Sequence, residues 1–186
     1  MKYFKKIVGD RVYLSPISTE DAMQYVEWLS DFETAKYVGQ YTRIHTMANE
    51  FAWINGTGNS NEYNFAIIEK ESDKLLGNIG LVNIKNINRT AEMGVFIGDK
   101  EYLSKGYGSE AIMLILDYGF NFLNLNNIML KAFSFNERAI KAYEKCGFKI
   151  FGIWKEAVYF NGEYVDDVYM NILKKDFDAK KLKKTI

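Results

Sequence analysis

The fold of this chain is decided by the stretch Glu101-Tyr102-Leu103-Ser104-Lys105-Gly106-Tyr107-Gly108-Ser109-Glu110-Ala111. It leaves a predicted strand, turns through two glycines and enters a predicted helix. Glycine at 106 and 108 allows a sharp turn and lets a ligand approach the backbone closely. The helix start adds unpaired N–H groups and the positive end of the helix dipole. The stretch therefore predicts a phosphate or pyrophosphate site, and the competing interpretation is a tight turn that the glycines merely shape.

Around this turn, strand and helix patterns alternate irregularly. Seven strands are predicted, at 11–14, 65–68, 75–84, 92–97, 128–133, 153–160 and 163–172. Four helices are predicted, at 18–29, 46–54, 109–123 and 136–147. Asn161-Gly162 between the last two strands is a strong hairpin signal. One strand-helix-strand unit among hairpins predicts an α+β fold, with a mixed, mostly antiparallel sheet of six or seven strands and about four flanking helices.

Length and composition indicate one globular domain over residues 1–186, with a basic, solvated tail from about 174. Hydrophobic residues make up 48% of the 186 residues and charged residues 26%, a balance that argues against intrinsic disorder. The 24 lysines and arginines equal the 24 aspartates and glutamates. This balance removes the basic surface that a nucleic-acid binder needs, so we expect no nucleic-acid partner.

Metal, disulfide and membrane functions are not expected either. Cys146 is the single cysteine and His45 the single histidine, so the soft ligands of a zinc or iron site are missing. The longest apolar run, Ala111 to Leu116, is far shorter than the ~20 residues that a membrane span needs. The charged first ten residues are followed by no apolar stretch. These features predict a cytoplasmic protein.

Two other phosphate-binding motifs compete for the turn. The nucleotide-triphosphate loop requires four residues between its glycines and then Lys followed by Ser or Thr, and the sequence has neither feature. The dinucleotide fingerprint matches as Gly106-x-Gly108-x-x-Ala111, but it also requires an acid about 20 residues later for the ribose. No Asp or Glu occurs from Tyr118 through Asn136. A nicotinamide oxidoreductase is therefore a poor interpretation.

A third match reaches beyond the turn and covers most of the chain. The stretch from Ala91 to Ala111 resembles the pyrophosphate motif of the GNAT superfamily of acyl-coenzyme A dependent N-acetyltransferases. The stretch Asn136-Glu137-Arg138-Ala139-Ile140-Lys141-Ala142-Tyr143-Glu144-Lys145-Cys146-Gly147-Phe148 resembles its second motif, Asn-x-x-Ala-x-x-x-Tyr-x-x-x-Gly-Phe. The two motifs stand in the expected order and at the expected separation. Within the superfamily the chain is similar to the branch of ribosomal-protein N-terminal and spermidine acetyltransferases.

The phosphate loop departs from the family pattern at its start. The family usually reads Gln/Arg-Gly-x-Gly-x-Gly/Ala, and this chain has Leu103 and Ser104 at the first two positions. Loss of the glycine narrows the backbone options, and loss of the polar residue removes one side-chain contact. Ser104 still offers its amide and a hydroxyl, and the core from Lys105 to Ser109 is intact. We therefore expect pyrophosphate binding to persist.

The resemblance implies acetyl-CoA as cosubstrate and assigns residues to it. The pantetheine arm is expected to pair with the backbone of Val95, Phe96 and Ile97, in a gap where the fourth and fifth predicted strands splay apart. The pyrophosphate is expected on the loop residues Ser104, Lys105, Gly106, Tyr107, Gly108 and Ser109. An amide near Phe96 is expected to stabilise the oxyanion. Asn136 is expected to contact the coenzyme arm, and Tyr143 to protonate the departing sulfur.

The chemistry of Tyr143 favours a hydrogen bond to the sulfur over full proton transfer. An unperturbed tyrosine pKa near ~10 lies above a thiol pKa near ~8.5, so transfer is not downhill in water. The competing interpretation places Tyr143 with Ala139 and Ile140 on the apolar face of its helix. Cys146, one turn away, is expected to be a packed thiol.

The acceptor amine must lose a proton before it attacks. At neutral pH this costs ~1 kcal/mol for an α-amino group with a pKa near ~8, and ~4–5 kcal/mol for a polyamine or lysine amine near ~10.4. Glu92 is the predicted base, acting through water, although a solvated strand face explains its position equally well. Gly80 and Asn83 stand where the spermidine enzymes carry carboxylates, which counts against a polyamine substrate.

The identity of the amine stays open between protein N-termini, polyamines, aminoglycosides and amino sugars. Its selectivity is expected to come from 31–58 and 157–164, with Asp31 and Glu33 as candidate amine-binding charges. His45 has no evident partner and is expected to be structural or on the surface. The alternative function is a coenzyme A sensor or scaffold of the same fold without turnover. The aromatic final hairpin could pair with a second subunit, giving a homo-oligomer.

Overall fold

A computed structural model describes residues 2–57 and 61–178. Its strands are β1 Ile7–Val8, β2 Val12–Pro16, β3 Tyr63–Glu69, β4 Leu75–Lys85, β5 Thr90–Ile97, β6 Asn127–Phe133, β7 Lys149–Phe160 and β8 Glu163–Leu173. Its α-helices are α1 Ala22–Ser30, α2 Phe32–Ala35, α3 Met47–Gly56, α4 Tyr107–Asn121 and α5 Glu137–Lys145. The strands form one sheet in the order β1-β2-β3-β4-β5-β6-β8-β7.

The α+β class and the mixed sheet are confirmed, and the counts are slightly higher than predicted. The eighth strand is β1, two residues that pair with β2 through Ile7 and Leu14. The fifth helix is α2, a single turn of four residues. Both elements are too short to produce a periodic pattern in the sequence. The predicted basic tail begins as a 3-10 turn, Lys174–Asp176, and from residue 179 it lies outside the described residues.

The one parallel pairing among the described strands creates the gap that positions the site. β5 and β6, connected through α4, pair only at Thr90 with Asn127, Ala91 with Ile128 and Glu92 with Met129. On its other side β5 stays paired with β4 as far as Ile97, opposite Gly77. From residue 93 onward the β6-facing edge of β5 therefore borders an opening, and the predicted splay is confirmed.

Two hydrophobic clusters fix the sheet from its two faces. The larger cluster places the buried residues of α4, such as Leu114 and Ile115, against the strands. The smaller one joins Tyr25 of α1 to Phe96 of β5, with the Trp28 ring packed edge-on against Phe96 at 5.8 Å between centroids. Because Phe96 belongs to this second cluster, the β5 edge is held rigidly beside the opening.

The final hairpin has the predicted turn and packs over the segment that follows α1. Asn161 and Gly162 both have positive φ, 50° and 90°, as the two-residue turn of twisted strands requires. Just before the turn, the Phe160 ring stacks on Phe32 and meets Tyr41 edge-on, at 6.2 and 5.0 Å between centroids. The hairpin thus supports the loop between α2 and α3.

Candidate active site

The predicted phosphate loop turns through two left-handed residues. Gly106 has φ 88° and is the N-cap of α4, and Ser104 has φ 60°. The first N–H groups of α4 have no partner within the helix, so they are available to an anion at this turn. Ser104 adopts the conformation that favours glycine, which explains physically why the family has glycine here. The loop shape survives the substitution.

Arg11, which is not among the predicted site residues, supports the phosphate loop. The Arg11 Nη1 donates a hydrogen bond to the Lys105 carbonyl at 3.0 Å, and its Nε lies 3.2 Å from Glu110 Oε2. Its guanidinium also lies 4.6 Å from the centre of the Tyr107 ring. Glu110 Oε1 accepts the backbone N–H of Arg11 at 2.8 Å. These contacts connect β2 to the first turn of α4.

Two loop tyrosines are held by one carboxylate. The hydroxyls of Tyr102 and Tyr107 each donate to Glu69, both at 3.0 Å. The hydrogen bond from the Ser72 hydroxyl, and to a smaller extent those from the two phenols, hold the pKa of the Glu69 carboxyl below its usual value. The hydrogen bonds to Glu69 also raise the pKa of Tyr102 and of Tyr107. The Tyr107 side chain is therefore engaged in the support of the loop, which leaves its backbone amide as its contribution to an anion site.

A cavity of about 440 Å³ lies between the loop, the β5 edge and α5 and is named the phosphate-loop cavity. Nine of the twelve predicted site residues line it. They are Val95, Phe96, Ile97, Ser104, Gly106, Gly108, Ser109, Asn136 and Tyr143. Lys105, Tyr107 and Glu92 are not part of its lining. The wall also contains the charged residues Lys100, Arg138 and Glu33, two basic and one acidic.

A second cavity, of about 570 Å³, lies below α3 and is named the α3 cavity. It is lined by α3 and the loop before it, by residues of α1 and α5, and by parts of β3, β4, β5, β6 and β8. Five residues line both cavities: Tyr37, Val38, Val95, Phe96 and Tyr143. A group held in one cavity and a group held in the other can therefore meet at the β5 edge beside Tyr143.

Tyr143 is buried where the two cavities meet. It is 9% exposed, and burial, assisted by Cys146, raises the pKa of its phenol to about 12. The hydroxyl therefore stays protonated at neutral pH and can only donate to an anion, while its ring packs edge-on against Phe148 at 6.0 Å. The Cys146 thiol is a packed contact between helices, because its Sγ donates to the Ser109 carbonyl at 3.7 Å.

Asn136 has a structural contact as well as a place in the cavity wall. Its Oδ1 accepts the N–H of Ala139 at 3.3 Å, which caps the start of α5. The residue is 8% exposed and lines the phosphate-loop cavity. Capping uses the oxygen of the side chain, so the amide nitrogen is the atom that a ligand in the cavity would meet.

The predicted base and amine-binding carboxylates lie away from the α3 cavity. Glu92 is exposed, accepts a hydrogen bond from Asn83 Nδ2 at 3.1 Å, and lines neither cavity. Asp31 is 2.7 Å from Lys100, which lowers its pKa, and Glu33 is 2.7 Å from Lys36. Neither carboxylate lines the α3 cavity. Glu33 lines the phosphate-loop cavity instead, and the assignment of both carboxylates to amine binding stays a prediction.

One of the two segments predicted to select the amine lines the α3 cavity, and the other does not. The loop before α3 and α3 itself line the α3 cavity through Gln40, Arg43, Ile44, His45, Asn49, Glu50 and Trp53. Residues 157–164 line neither cavity. They contact the loop before α3 through the packing of Phe160 against Tyr41. The expectation that His45 has no partner is wrong, because its Nδ1 lies 3.1 Å from Glu50 Oε1. That pairing depends on the conformation of the loop before α3, which no sequence signal reveals.

Comparison with known proteins identifies the family and the fold. Residues 11–149 match the family model of the acetyltransferase (GNAT) domain. The chain belongs to the GNAT acetyltransferase family. It is 30% identical over 171 residues to N-acetyltransferase p20 of Bacillus licheniformis, a protein described as uncharacterized, covering 90% of this chain and 96% of that one. It is 35% identical over 111 residues to a spermidine N(1)-acetyltransferase of Vibrio cholerae, covering 60% of this chain and 64% of that one.

A solved structure of a family member supports the identity of the cosubstrate. The spermidine N-acetyltransferase of Vibrio cholerae, in complex with CoA and spermine, superposes with a TM-score of 0.79 at 26% identity, covering 89% of this chain and 97% of that one. The GNAT protein described here is an acyl-CoA dependent N-acetyltransferase with acetyl-CoA as its cosubstrate. Within residues 2–57 and 61–178 no group of three or more His, Cys, Asp or Glu side chains could hold a metal ion. None of the helices in those ranges is long and apolar enough to cross a membrane.

Proposed function

We propose that this enzyme transfers the acetyl group of acetyl-CoA to one primary amine by direct attack in a ternary complex. The observation that carries the proposal is the meeting of two cavities at the β5 edge. One cavity adjoins an anion-binding turn, the other adjoins the variable loop and α3, and both include Val95, Phe96 and Tyr143. Direct attack requires this arrangement, because both reactants must be present at the same point.

On the donor side, nine of the predicted residues line the phosphate-loop cavity, which supports their proposed roles. The backbone N–H groups of 104–109 hold the pyrophosphate, and the open edge of Val95, Phe96 and Ile97 pairs with the pantetheine arm. The amide nitrogen of Asn136 binds that arm. When bound, acetyl-CoA supplies a thioester carbonyl and a thiolate leaving group. An N–H near Phe96 stabilises the negative charge that develops on the carbonyl oxygen.

Tyr143 stabilises the departing thiolate by a hydrogen bond. Its pKa of about 12 lies above the ~8.5 of a thiol, so complete transfer of its proton would be uphill by roughly 5 kcal/mol. A hydrogen bond to an anion in a buried site needs no such transfer and is still strong. The phenol therefore acts as a fixed donor.

The acceptor that fits best carries a single amine, such as a protein N-terminus or a small monoamine. The charged residues of the α3 cavity are Arg43, Lys131, Glu50 and Asp167, apart from the titratable His45, and their formal charges cancel. The two carboxylates already have partners, His45 for Glu50 and Lys131 for Asp167. A polycation would find no excess of negative charge there. Spermidine is the second candidate, because relatives of this chain are spermidine acetyltransferases.

Three further features complete the proposal. Glu92 can receive the proton of the amine only through water, since it lines neither cavity. The proposed cytoplasmic location agrees with a sequence whose single cysteine cannot form an internal disulfide. A homo-oligomer would form through β7, the strand at one end of the sheet, on which Phe151 and Trp154 are 57% and 62% exposed.

An amine screen with thiol detection tests the function. Purified protein and acetyl-CoA are incubated with peptides bearing a free α-amine, spermidine, an aminoglycoside and an amino sugar, and coenzyme A release is followed. We expect release with a monoamine or peptide above the rate with spermidine. Binding of coenzyme A without release from any acceptor would instead support the sensor or scaffold function.

A further inference from the structure

The α3 cavity contains two buried polar atoms that its own side chains leave unpaired. Among the described residues, three buried side-chain atoms have no hydrogen-bond partner: Asp21 Oδ2, His45 Nε2 and Asp167 Oδ1. The last two belong to residues that line the α3 cavity. Buried polar groups are nearly always satisfied in folded proteins, so unpaired atoms in a cavity wall point to a partner supplied by a ligand.

The His45 imidazole is oriented in the way that a general base requires. Its side chain is 8% exposed, and Nδ1 lies 3.1 Å from Oε1 of Glu50, whose side chain is also 8% exposed. A carboxylate that accepts the Nδ1 proton fixes the tautomer in which Nε2 carries the lone pair. Glu50 is itself held in the first turn of α3, where its N–H donates to the Thr46 carbonyl at 3.0 Å.

We propose that His45, oriented by Glu50, accepts the proton of the acceptor amine in the α3 cavity. This proposal rests on the proposed acetyl transfer. It assigns the base of that reaction to a residue that lines the α3 cavity, whereas Glu92 does not line it. His45 is then a catalytic residue, and Glu50 is a positioning residue that acts through it.

The proton and electron balance of the step is complete with these groups. The acceptor arrives as an ammonium and gives one proton to His45 Nε2. The neutral nitrogen then forms the C–N bond with the thioester carbonyl carbon, and the C–S bond breaks. The thiolate leaves while it accepts a hydrogen bond from Tyr143, and the second proton of the nitrogen passes to solvent.

In the described part of the chain, four charged residues besides His45 line the α3 cavity. Glu50 faces it from α3, and Arg43 belongs to the same loop as His45. Lys131 of β6 and Asp167 of β8 complete the charged lining, paired with each other at 3.1 Å. Asp167 therefore provides a matched control, because it is a buried carboxylate of the same cavity that is paired with a lysine instead of the histidine.

The tautomer of His45 can be read without any substrate. His45 is the only histidine of the chain, so the ring signals of a tag-free, ¹⁵N-labelled sample belong to it alone. At pH 8 we expect the proton on Nδ1 and a bare Nε2 in the wild type and in D167N. A proton on Nε2 with a bare Nδ1 would overturn the proposal, because Nε2 would then have no lone pair to accept a proton.

The kinetic test uses the difference in proton cost between two acceptors. The probes are a peptide with a free α-amine, with a pKa near ~8, and an N-terminally blocked peptide with one lysine, with a pKa near ~10.4. We expect H45Q to slow acetylation of the lysine peptide roughly 100-fold at pH 7 and of the α-amine peptide less than ~10-fold. E50Q should also slow acetylation of the lysine peptide more than that of the α-amine peptide, but by smaller factors than H45Q. D167N should slow acetylation of both peptides by the same factor.

The pH profile separates catalysis from structure even if only one peptide reacts. Between pH 7 and 10 the defect of H45Q should shrink, because the amine loses its proton to solvent and needs no base. An equal defect of H45Q at every pH, with coenzyme A binding unchanged by calorimetry, would overturn the proposal. If wild type acetylates neither peptide while it binds coenzyme A, the proposed function fails on these acceptors, and the NMR tautomer still decides the assignment of His45.

Discussion

Tyr143 lies where the acetyl donor and the acceptor amine are proposed to meet. Its hydroxyl should therefore affect turnover and not the binding of coenzyme A. A hydrogen bond to a charged group is worth about 1.5–3 kcal/mol, which corresponds to roughly 10- to 100-fold in rate. We expect Tyr143→Phe to slow coenzyme A release by that factor with unchanged coenzyme A affinity. Tyr118→Phe is the matched control, since Tyr118 is a half-buried tyrosine of α4 outside both cavities. Equal turnover of Tyr143→Phe and wild type with every amine would remove this role.

The raised pKa of Tyr143 has a consequence for stability in alkali. Burial raises the pKa from 10.0 unfolded to about 12 folded, so the folded state holds its proton longer. The contribution of this group to the free energy of unfolding is constant below pH 10 and is lost as pH rises through 12. Between pH 8 and pH 11, denaturant titrations should show a smaller decrease in the free energy of unfolding for Tyr143→Phe than for wild type. The same loss in both proteins would indicate an unperturbed phenol.

Ser104 is the residue at which the phosphate loop is strained. A non-glycine residue in the left-handed region costs roughly 1–2 kcal/mol, and Ser104 has φ 60°. Ser104→Gly should therefore raise the free energy of unfolding by about 0.5–1 kcal/mol and bind coenzyme A at least as tightly as wild type. Ser104→Ala keeps the strain and removes the hydroxyl, so it separates the two contributions. Weaker binding by both variants would assign the affinity to the hydroxyl.

At the scale of elements, Arg11, the residue before β2, positions the start of α4. The guanidinium holds the Lys105 carbonyl and Glu110, and roughly half of its side chain is exposed, so we expect a moderate effect. Arg11→Ala should weaken coenzyme A binding about 3- to 10-fold, corresponding to about 1 kcal/mol. Arg89→Ala is the control, because Arg89 likewise donates two hydrogen bonds, to Asn124 at 2.7 and 2.8 Å, but lines neither cavity. Calorimetry with equal affinities for the two variants would contradict this support.

The elements show what the sequence could and could not predict. Periodicity located the long strands and α4, and Asn161-Gly162 located the hairpin, because these signals are local. The contact of Arg11 with Glu110 joins positions 99 apart, and no local rule reveals it. The pair of His45 and Glu50 depends on an irregular loop, whose conformation is set by packing rather than by propensity.

At the scale of the whole molecule, the site is made by the termination of one parallel pairing after three residue pairs. The order of the two motifs in the sequence predicted the residues around that opening, since nine of twelve line the phosphate-loop cavity. The acceptor side was not predicted in the same way. Its wall combines α3 with five strands, and the sequence supplies no motif for that combination.

The exposed edge of the sheet predicts self-association. Several exposed apolar side chains lie on β7, the strand at one end of the sheet: Ile150, Phe151, Ile153, Trp154 and Tyr159. We expect light scattering to report a dimer or larger assembly and Trp154→Asp to shift it toward the monomer, because a charge would be buried at the contact. Ile87→Asp, at a 97% exposed position outside β7, is the control. A monomeric wild type at all concentrations would contradict the assembly.

Coenzyme A titration by calorimetry into purified, folded wild-type protein tests the central assignment most directly. Backbone amides at the start of α4 and the open edge of β5 are preformed, so binding needs no rearrangement of the fold. We predict saturable binding with one coenzyme A per chain, weakened by Arg11→Ala and retained by Tyr143→Phe. Absence of binding by the wild type would contradict the assignment of the turn and the opening as a coenzyme site.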